Sequence, residues 1–345
     1  MPAISLRGRL GWAWTVFGPF VGLVLIILLF GTITRQSGRF MTLDNWRTIA
    51  LQTVIVGIAA LGMTMIMIAG GIDLSVGSTI ALVTVCTAMF VQKVDPMLPD
   101  SVRELKVVLP LALLIGIVVG GLCGFINGAL IAGLRVVPFI VTLGTYTIYR
   151  GLATWMASST QVYLSGNVRP WWFDQIMKVE PEPRWLVVAP GVWIFLGLSV
   201  VVALALRYSL LGRYIYAVGS NEATARLCGI NVPFIKVTVY TIGGLATGLA
   251  GILQFRSLGA MGDPTTAGGL ELQVIAAVVI GGGSLSGGEG TVMGTLIGCL
   301  IMQVLKNGCV HAGIPKPSQD IIIGIIIVAA VTLDRLRRAR GIMHA

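Results

Sequence analysis

The feature that most restricts the fold of this chain is a succession of long apolar runs separated by short polar stretches. A helix that crosses the roughly 30 Å hydrocarbon core of a bilayer needs about 20 apolar residues, and several runs reach that length. The composition agrees, because 56% of the residues are hydrophobic and only 11% are charged. The sequence therefore predicts an integral membrane protein and excludes an autonomous soluble enzyme.

The apolar runs predict an all-α, polytopic transmembrane helix bundle of about ten spans. The predicted spans cover approximately residues 12–33, 48–69, 74–91, 108–132, 137–157, 190–206, 237–255, 270–283, 290–304 and 321–333. The eighth and tenth runs are short, so re-entrant or partly buried helices are the alternative there. Because the loops leave no room for another domain, residues 1–345 are predicted to form a single transmembrane domain.

The distribution of lysine and arginine predicts the orientation in the inner (plasma) membrane. Basic residues cluster before the first run and after the last one, at Arg7, Arg9, Arg335, Arg337, Arg338 and Arg340. An even number of spans puts both ends on one side, so both termini are predicted to be cytoplasmic. Basic residues also occur in loops assigned to the outside, for example Arg47 and Lys93.

Charge, cysteines and motifs exclude several functions. The net charge of +10 is dispersed among apolar runs, which argues against nucleic-acid binding. The five cysteines form no CxxC pair and there are only two histidines, so no metal site is predicted. A P-loop, an HExxH motif and a GxSxG elbow are all missing from the sequence. The chain is therefore predicted to be no enzyme and to bind no cofactor itself.

A polar interruption at residues 70–78 separates two apolar runs and carries paired glycines, an acid and two hydroxyls. An ionisable residue among membrane spans is costly unless it is paired or hydrated, which makes Asp73 a candidate for a pathway residue. The alternative is a helix cap for the following run. Residues 281–288 resemble this interruption, which suggests an internal repeat. The candidate pathway residues are Asp73, Ser75, Asn127, Thr142, Glu271 and Gln273.

The glycine spacing predicts close helix packing, and one polar region predicts a loop that couples the bundle to a partner. Glycines recur every four residues from Gly116 to Gly128, a spacing that lets helices approach closely in lipid. Residues 207–236 are polar and predict two short helices outside the bilayer, one capped by Asn221 and ended by Gly229. This region is interpreted as a cytoplasmic coupling loop, with an ordinary surface loop as the alternative.

The sequence resembles the permease subunits of bacterial ABC importers for monosaccharides, of the ribose, xylose and autoinducer type, which are related to branched-chain amino-acid permeases. The resemblance spans nearly the whole chain. Its motifs are GMT at 62–64, GGIDLSVGS at 70–78, NG at 127–128, PFIVTLG at 138–144, RG at 150–151, GRY at 212–214, GINV at 229–232, AAVVIGG at 276–282 and GTLIG at 294–298.

The resemblance implies that import is carried out by several separate proteins. A pair of permease subunits, identical or different, forms the pathway in the bilayer; a cytoplasmic ABC ATPase binds ATP and Mg²⁺; and a periplasmic or lipid-tethered binding protein delivers the sugar. The coupling residues that it implies are Gly219, Asn221, Glu222, Ala223, Arg226 and Gly229. Two departures from the family pattern are Thr224 in place of an alanine and Gln273 in place of an acid.

Alternative functions remain open from the sequence. Within transport, the solute could be an autoinducer, a branched-chain amino acid or a nucleoside. A membrane enzyme acting on lipids would need a carboxylate cluster or a paired nucleophile and base, which the scattered acids do not provide. A passive channel would conduct solute without ATP.

Overall fold

The computed structural model describes residues 6–35, 38–94, 97, 107–164, 170–183 and 186–342. Of residues 6–18, 330 and 333–342 it describes the backbone alone, so the terminal arginines that carry the orientation prediction lie outside the described side chains. Over the described part, the chain forms thirteen α-helices and one pair of short strands.

The elements follow in an almost entirely helical order. The helices are α1 (Leu6–Ile33), α2 (Leu43–Ile68), α3 (Val76–Val94), α4 (Val108–Leu134), α5 (Pro138–Met156), α6 (Trp171–Ile176), α7 (Pro190–Tyr208), α8 (Leu210–Ser220), α9 (Glu222–Leu227), α10 (Val232–Ser257), α11 (Leu270–Ile280), α12 (Val292–His311) and α13 (Lys316–Ile342). The strands β1 (Val162–Tyr163) and β2 (Met261–Gly262) pair in antiparallel fashion.

Every predicted apolar run corresponds to one of these helices, and six helices of the described chain are long and apolar enough to cross a membrane. These six are α2, α3, α4, α7, α10 and α12. Residues 19–33 of α1 and all of α11 form shorter apolar helices. The prediction of a polytopic helical membrane bundle is thereby confirmed.

Helices α4 and α10 run antiparallel and share the most extensive contact between any two helices of the described chain. A Cβ atom added at Gly120 would collide with the backbone of Gly248, and one added at Gly124 would collide with the carbonyl oxygen of Tyr240. Lipid offers no hydrophobic drive for helix pairing, so such close backbone approach supplies the dispersion contacts that hold the pair. The packing role predicted from the four-residue glycine spacing is confirmed.

Helix α2 lies at the centre of the bundle and is buried along most of its length. Its first turn is fixed by an amide pair, because the side chains of Asn45 and Asn307 each donate to the other over 3.0 Å. His311 Nε2 lies 3.0 Å from the same Asn45 Oδ1 atom. These contacts join the start of α2 to the end of α12.

The bundle has two distinct ends. At one end, which we term the α8–α9 end, α2 finishes and α10 and α12 begin; there the backbone N–H of Gly288 donates to Ile68 O over 2.8 Å. At the opposite, β1–β2 end, α10 and α12 finish and the two strands pair. Arg256 ties α6 to this end by donating to the carbonyls of Phe173 and Asp174 over 3.0 and 2.9 Å.

Candidate functional site

Four of the predicted pathway residues come together where α2 gives way to α3. Asp73 Oδ1 accepts hydrogen bonds from the backbone N–H and the hydroxyl of Ser75, over 2.8 and 2.6 Å. The Asn127 amide donates to Ser75 Oγ over 2.8 Å and to Asp73 Oδ1 over 3.4 Å. We call Asp73, Ser75, Asn127 and Thr142 the polar knot; each of them is buried.

The polar knot holds the interrupted backbone inside the bundle. The carbonyl of Ile72 accepts from the Thr142 hydroxyl over 3.2 Å and from the Tyr240 hydroxyl over 3.1 Å. Tyr149 donates to Asn127 Oδ1 over 3.4 Å. Non-helical backbone within a membrane bundle must find such partners, because lipid offers none. The observed geometry suits both a structural turn and a residue that responds to helix movement.

Glu271 lies apart from the polar knot, against the start of α3. Its Oε1 accepts from the Gly269 N–H over 3.2 Å, while Oε2 is buried beside Gly77 without a hydrogen-bond partner among the described residues. From the other side Arg150 Nη1 donates to the carbonyls of Pro264 and Thr266, both over 2.7 Å. Arg150, a residue whose role the sequence did not indicate, therefore fixes the irregular segment that leads into α11.

Gln273, the sixth predicted pathway residue, lines a polar cavity of about 530 Å³ toward the β1–β2 end of the bundle. This volume falls within the range of about 300–1,000 Å³ that is typical of small-molecule sites. The polar side chains that line the cavity are Gln52, Gln254, Ser257, Asp263, Thr265, Thr266, Gln273, Gln303, Lys306 and Lys316. None of the polar-knot residues is among the lining residues of this cavity.

Two cavity residues, Gln52 in α2 and Gln303 in α12, were not singled out from the sequence. The available signal was a glutamine within an otherwise apolar helix, which is an uncommon and costly placement in a membrane span. Sequence alone does not reveal which way such a side chain points, because helix rotation is set by packing against neighbours.

The predicted coupling residues lie on α8, α9 and the turns beside them. Asn221 Oδ1 accepts from the Thr224 N–H over 2.9 Å and so caps α9. Glu222 Oε1 pairs with Arg226 over 3.1 Å, and its Oε2 pairs with Lys236 at the start of α10 over 2.7 Å. Gly229 ends α9 at a φ of 82°, as its position after the helix predicts.

The outer surface of α9 is exposed. Ala223 and Thr224 are exposed, and Leu227 is 88% exposed. A large apolar side chain presented on a short, ion-paired helix is typical of an interaction surface. Leu227 is a candidate contact residue that sequence reasoning missed, because a leucine is unremarkable in so apolar a chain.

Gly219 occupies a position different from that of the other coupling residues. It lies at the end of α8, pressed against the carbonyl oxygen of Ile68 and close to Gly70, Gly287 and Gly288. A Cβ atom at Gly219 would collide with Ile68 O and lie 2.7 Å from Gly288 N. The α8–α9 segment therefore contacts both glycine turns of the bundle through backbone atoms; we call this contact the glycine junction.

The two glycine turns share one conformation. After α2, the N–H groups of Gly70 and Gly71 donate to the carbonyls of residues 67 and 66; after α11, those of Gly282 and Gly283 donate to residues 279 and 278. Gly70 and Gly282 both have positive φ, 81° and 91°. Residues 70–77 and 281–288, which resemble each other in sequence, thus also have similar backbone turns. The glycine that corresponds to Gly70 in conformation is Gly282, one residue after the first residue of the second segment.

Comparison with known proteins gives consistent relatives. Over 92% of its length the chain is 36% identical to a ribose import permease of Escherichia coli (strain K12), of which 93% is covered. It is 37% identical to a ribose import permease of Bacillus subtilis (strain 168), with 93% of both chains covered. A D-allose transport system permease of Escherichia coli (strain K12) is 34% identical, with 94% of this chain and 92% of the relative covered.

No solved structure matches the chain. The family described as "Branched-chain amino acid transport system / permease component" matches residues 45–331, a range that contains the polar knot, the cavity and the glycine junction. The matched range covers well over half of the chain, and the relatives named above are transport permeases. The chain is therefore a multi-pass membrane protein that belongs to this permease family.

Proposed function

We propose that this chain is the permease subunit of an ATP-driven importer that moves a monosaccharide, of the ribose or xylose kind, across the inner membrane. The observation that carries the proposal is the similarity to ribose and allose permeases over more than nine-tenths of the chain. The polar cavity supports it, since a hydrated passage for a sugar needs hydrogen-bonding side chains within the bundle.

The partners proposed for this chain are a cytoplasmic ABC ATPase, a periplasmic or lipid-tethered sugar-binding protein and a second permease subunit, identical or different. ATP and Mg²⁺ belong to the ATPase in this proposal, because the present sequence has no P-loop. The exposed surface of α9 supports docking of the ATPase there. Residues 207–236 then act as the coupling loop of one transmembrane domain.

We further propose about ten membrane crossings with both termini in the cytoplasm. Support for the number comes from α1, α5, α11 and α13, which match predicted apolar runs and add to the six longest apolar helices. In this arrangement the α8–α9 end faces the cytoplasm, and the cavity opens toward the outside. A ligand-driven switch between outward and inward access requires different contacts in the two states.

A purification experiment tests the proposed assembly. The chain is purified from native membranes in mild detergent, and everything that co-elutes is identified by mass spectrometry. We expect an ABC ATPase, with or without a second permease, and a sugar-binding protein. Reproducible recovery of the folded chain without an ATPase contradicts the proposal.

An uptake experiment tests the solute and the energy source. The recovered complex is placed in proteoliposomes with the binding protein, and uptake of radiolabelled D-ribose and D-xylose is measured with and without ATP. ATP-dependent sugar accumulation is expected. Preferential uptake of L-leucine or a nucleoside identifies another solute, and solute flux without nucleotide indicates a passive channel.

Reversing the charge of Glu222 is expected to disconnect the permease from its ATPase. Glu222→Lys replaces two ion pairs by a cluster with Arg226 and Lys236, so α9 loses its fixed orientation. ATPase recovery and sugar uptake should both fall by about tenfold or more, which corresponds to roughly 1.4 kcal/mol, with unchanged membrane abundance. The control is Asp44→Lys, which reverses an exposed ion pair at the opposite end of the bundle. Normal uptake in Glu222→Lys contradicts the coupling role.

A further inference from the structure

The cavity toward the β1–β2 end is lined by four glutamine side chains that come from four different helices. Gln52 lies in α2, Gln254 in α10, Gln273 in α11 and Gln303 in α12. Because the four side chains lie on separate helices, they line one cavity only in the folded bundle. We call these four side chains the amide cluster.

Most of the amide cluster is free to bind a ligand. Gln303 is only 2% exposed and lines the cavity, and within the described part of the chain its amide makes no hydrogen bond. The exposed Gln52 and the half-buried Gln273 likewise make no hydrogen bond through their amides in that part of the chain. Gln254 donates to Thr266 Oγ1 over 2.8 Å, which leaves its carbonyl oxygen available. Buried polar groups are nearly always hydrogen-bonded, so the amide of Gln303 requires water or a solute as its partner.

The chemistry of the cluster selects a class of solute. Each amide offers two donors and one carbonyl acceptor without formal charge, and each hydroxyl of a sugar can donate and accept in return. Asp263 already accepts from the N–H and the hydroxyl of Thr265, over 2.8 and 2.7 Å. Lys306 and Lys316 are exposed and lie at the end of α12 and the start of α13. Besides Asp263 and these two lysines, the described lining of the cavity carries only uncharged polar and apolar side chains.

We propose that the amide cluster is a binding station for a neutral, polyhydroxylated solute inside the permease itself, with Gln303 as its most buried contact. This inference rests on the proposed function, and it adds that the transmembrane subunit recognises the sugar directly. A permease with such a station selects among solutes a second time, after the binding protein has released its ligand.

The test measures solute binding by the full-length chain in lipid nanodiscs, without ATPase or binding protein. Retention of radiolabelled D-ribose is followed by equilibrium dialysis up to millimolar concentrations, with D-allose and L-leucine as competitors. We expect saturable retention that D-allose displaces and L-leucine does not. Retention should weaken at least tenfold in Gln303→Leu and in Gln273→Leu.

Two features make the test decisive. Gln273 is only half-buried, so Gln273→Leu remains informative even if Gln303→Leu does not fold, and thermal unfolding is measured for each variant. The matched control is Gln92→Leu, an exposed glutamine near the end of α3 and outside the cavity, for which unchanged retention is expected.

The outcomes separate this inference from the proposed function. If the folded chain shows no saturable retention while the complete complex imports D-ribose with ATP, the amide cluster is not a binding station and the proposed function stands. Equal retention in both cavity variants and the wild type likewise overturns the inference. If L-leucine displaces the probe or binds in its place, the neutral polyhydroxylated class is wrong, and the transported solute is decided separately by the uptake experiment.

Discussion

At the scale of single residues, Asp73 combines burial, charge and hydrogen bonding. The side chain is 4% exposed, and its Oδ1 accepts from Ser75 and Asn127. No salt bridge joins it to a lysine, arginine or histidine of the described chain. Burying a carboxylate without a counter-charge costs free energy, and the hydrogen bonds donated by Ser75 and Asn127 lower that cost.

The two roles considered for Asp73 predict different behaviour of its variants. Asp73→Asn keeps an oxygen acceptor for Ser75, whereas Asp73→Ala leaves buried donors unpaired at a cost of about 1–3 kcal/mol. If Asp73 is a structural cap, Asp73→Asn should retain both thermal stability in detergent and sugar uptake, and Asp73→Ala should lose stability.

The comparison needs equal amounts of each variant in the membrane, measured by quantitative immunoblotting. A large loss of uptake in Asp73→Asn at wild-type abundance and stability contradicts the purely structural role. That result would favour participation in the pathway or in its gating.

At the scale of helices and turns, the glycine junction connects the proposed ATPase-docking segment with two interruptions of the bundle. Gly219 touches the end of α2 and the turn after α11 through backbone atoms alone. Segments in such close backbone contact move together, because densely packed interiors shift between discrete arrangements and do not deform continuously. A displacement of α8 is therefore expected to reach both turns together.

Adding one methyl group at the glycine junction tests this connection. Gly219→Ala drives a Cβ atom into Ile68 O, and overpacking of this kind costs about 1–3 kcal/mol. We expect reduced sugar uptake per ATP hydrolysed in the reconstituted complex, with the ATPase still bound.

The matched control is Gly197→Ala in α7, where the added Cβ atom has open space. Alanine is favoured over glycine in a helix by about 1 kcal/mol, so this variant should keep full uptake and be no less stable. Wild-type coupling in Gly219→Ala would rule out the glycine junction as the mechanical link.

The helices could be predicted from the sequence more fully than the candidate functional site could. The apolar runs located the helices, and proline at the first position marks where α5 and α7 begin, because that position needs no N–H donor. The glycine spacing predicted that one face of α4 packs closely against another helix, and the structure identifies that helix as α10. The cavity could not be predicted as a whole, because it depends on which helix faces turn toward each other, and Gln52 and Gln303 meet Gln273 only after packing.

The polar knot illustrates the same limit at closer range. Asp73, Ser75, Asn127 and Thr142 were grouped as pathway candidates, and the structure does bring them together. Their hydrogen bonds are to one another, to backbone and to the Tyr149 hydroxyl, however, and the cavity lies elsewhere. Residue type predicted that these groups are buried and partnered, but it did not distinguish a lining residue from one that holds the backbone.

At the scale of the whole molecule, the proposed orientation can be tested on a natural cysteine. Of the five cysteines, Cys228 at the end of α9 is the exposed one. If α9 faces the cytoplasm, a membrane-impermeant maleimide should label the chain in inverted membrane vesicles and not in intact spheroplasts.

The control for this labelling is Cys228→Ser, which should remove the signal from inverted vesicles. Cys123, Cys299 and Cys309 are buried and should react only after denaturation. Labelling of Cys228 in spheroplasts places α9 outside, and it would reverse the proposed orientation of both termini.

The glycine junction also has a consequence for how mutations in this protein can be rescued. A clash between two side chains can be relieved by a smaller residue on either partner, so its genetic suppressors are found among the touching residues. At Gly219 the opposing atoms are a main-chain oxygen and a main-chain nitrogen, which no substitution removes. Mutations that suppress Gly219→Ala should therefore lie away from the contact, at positions where a substitution displaces α2, α8 or the turn after α11 as a rigid unit.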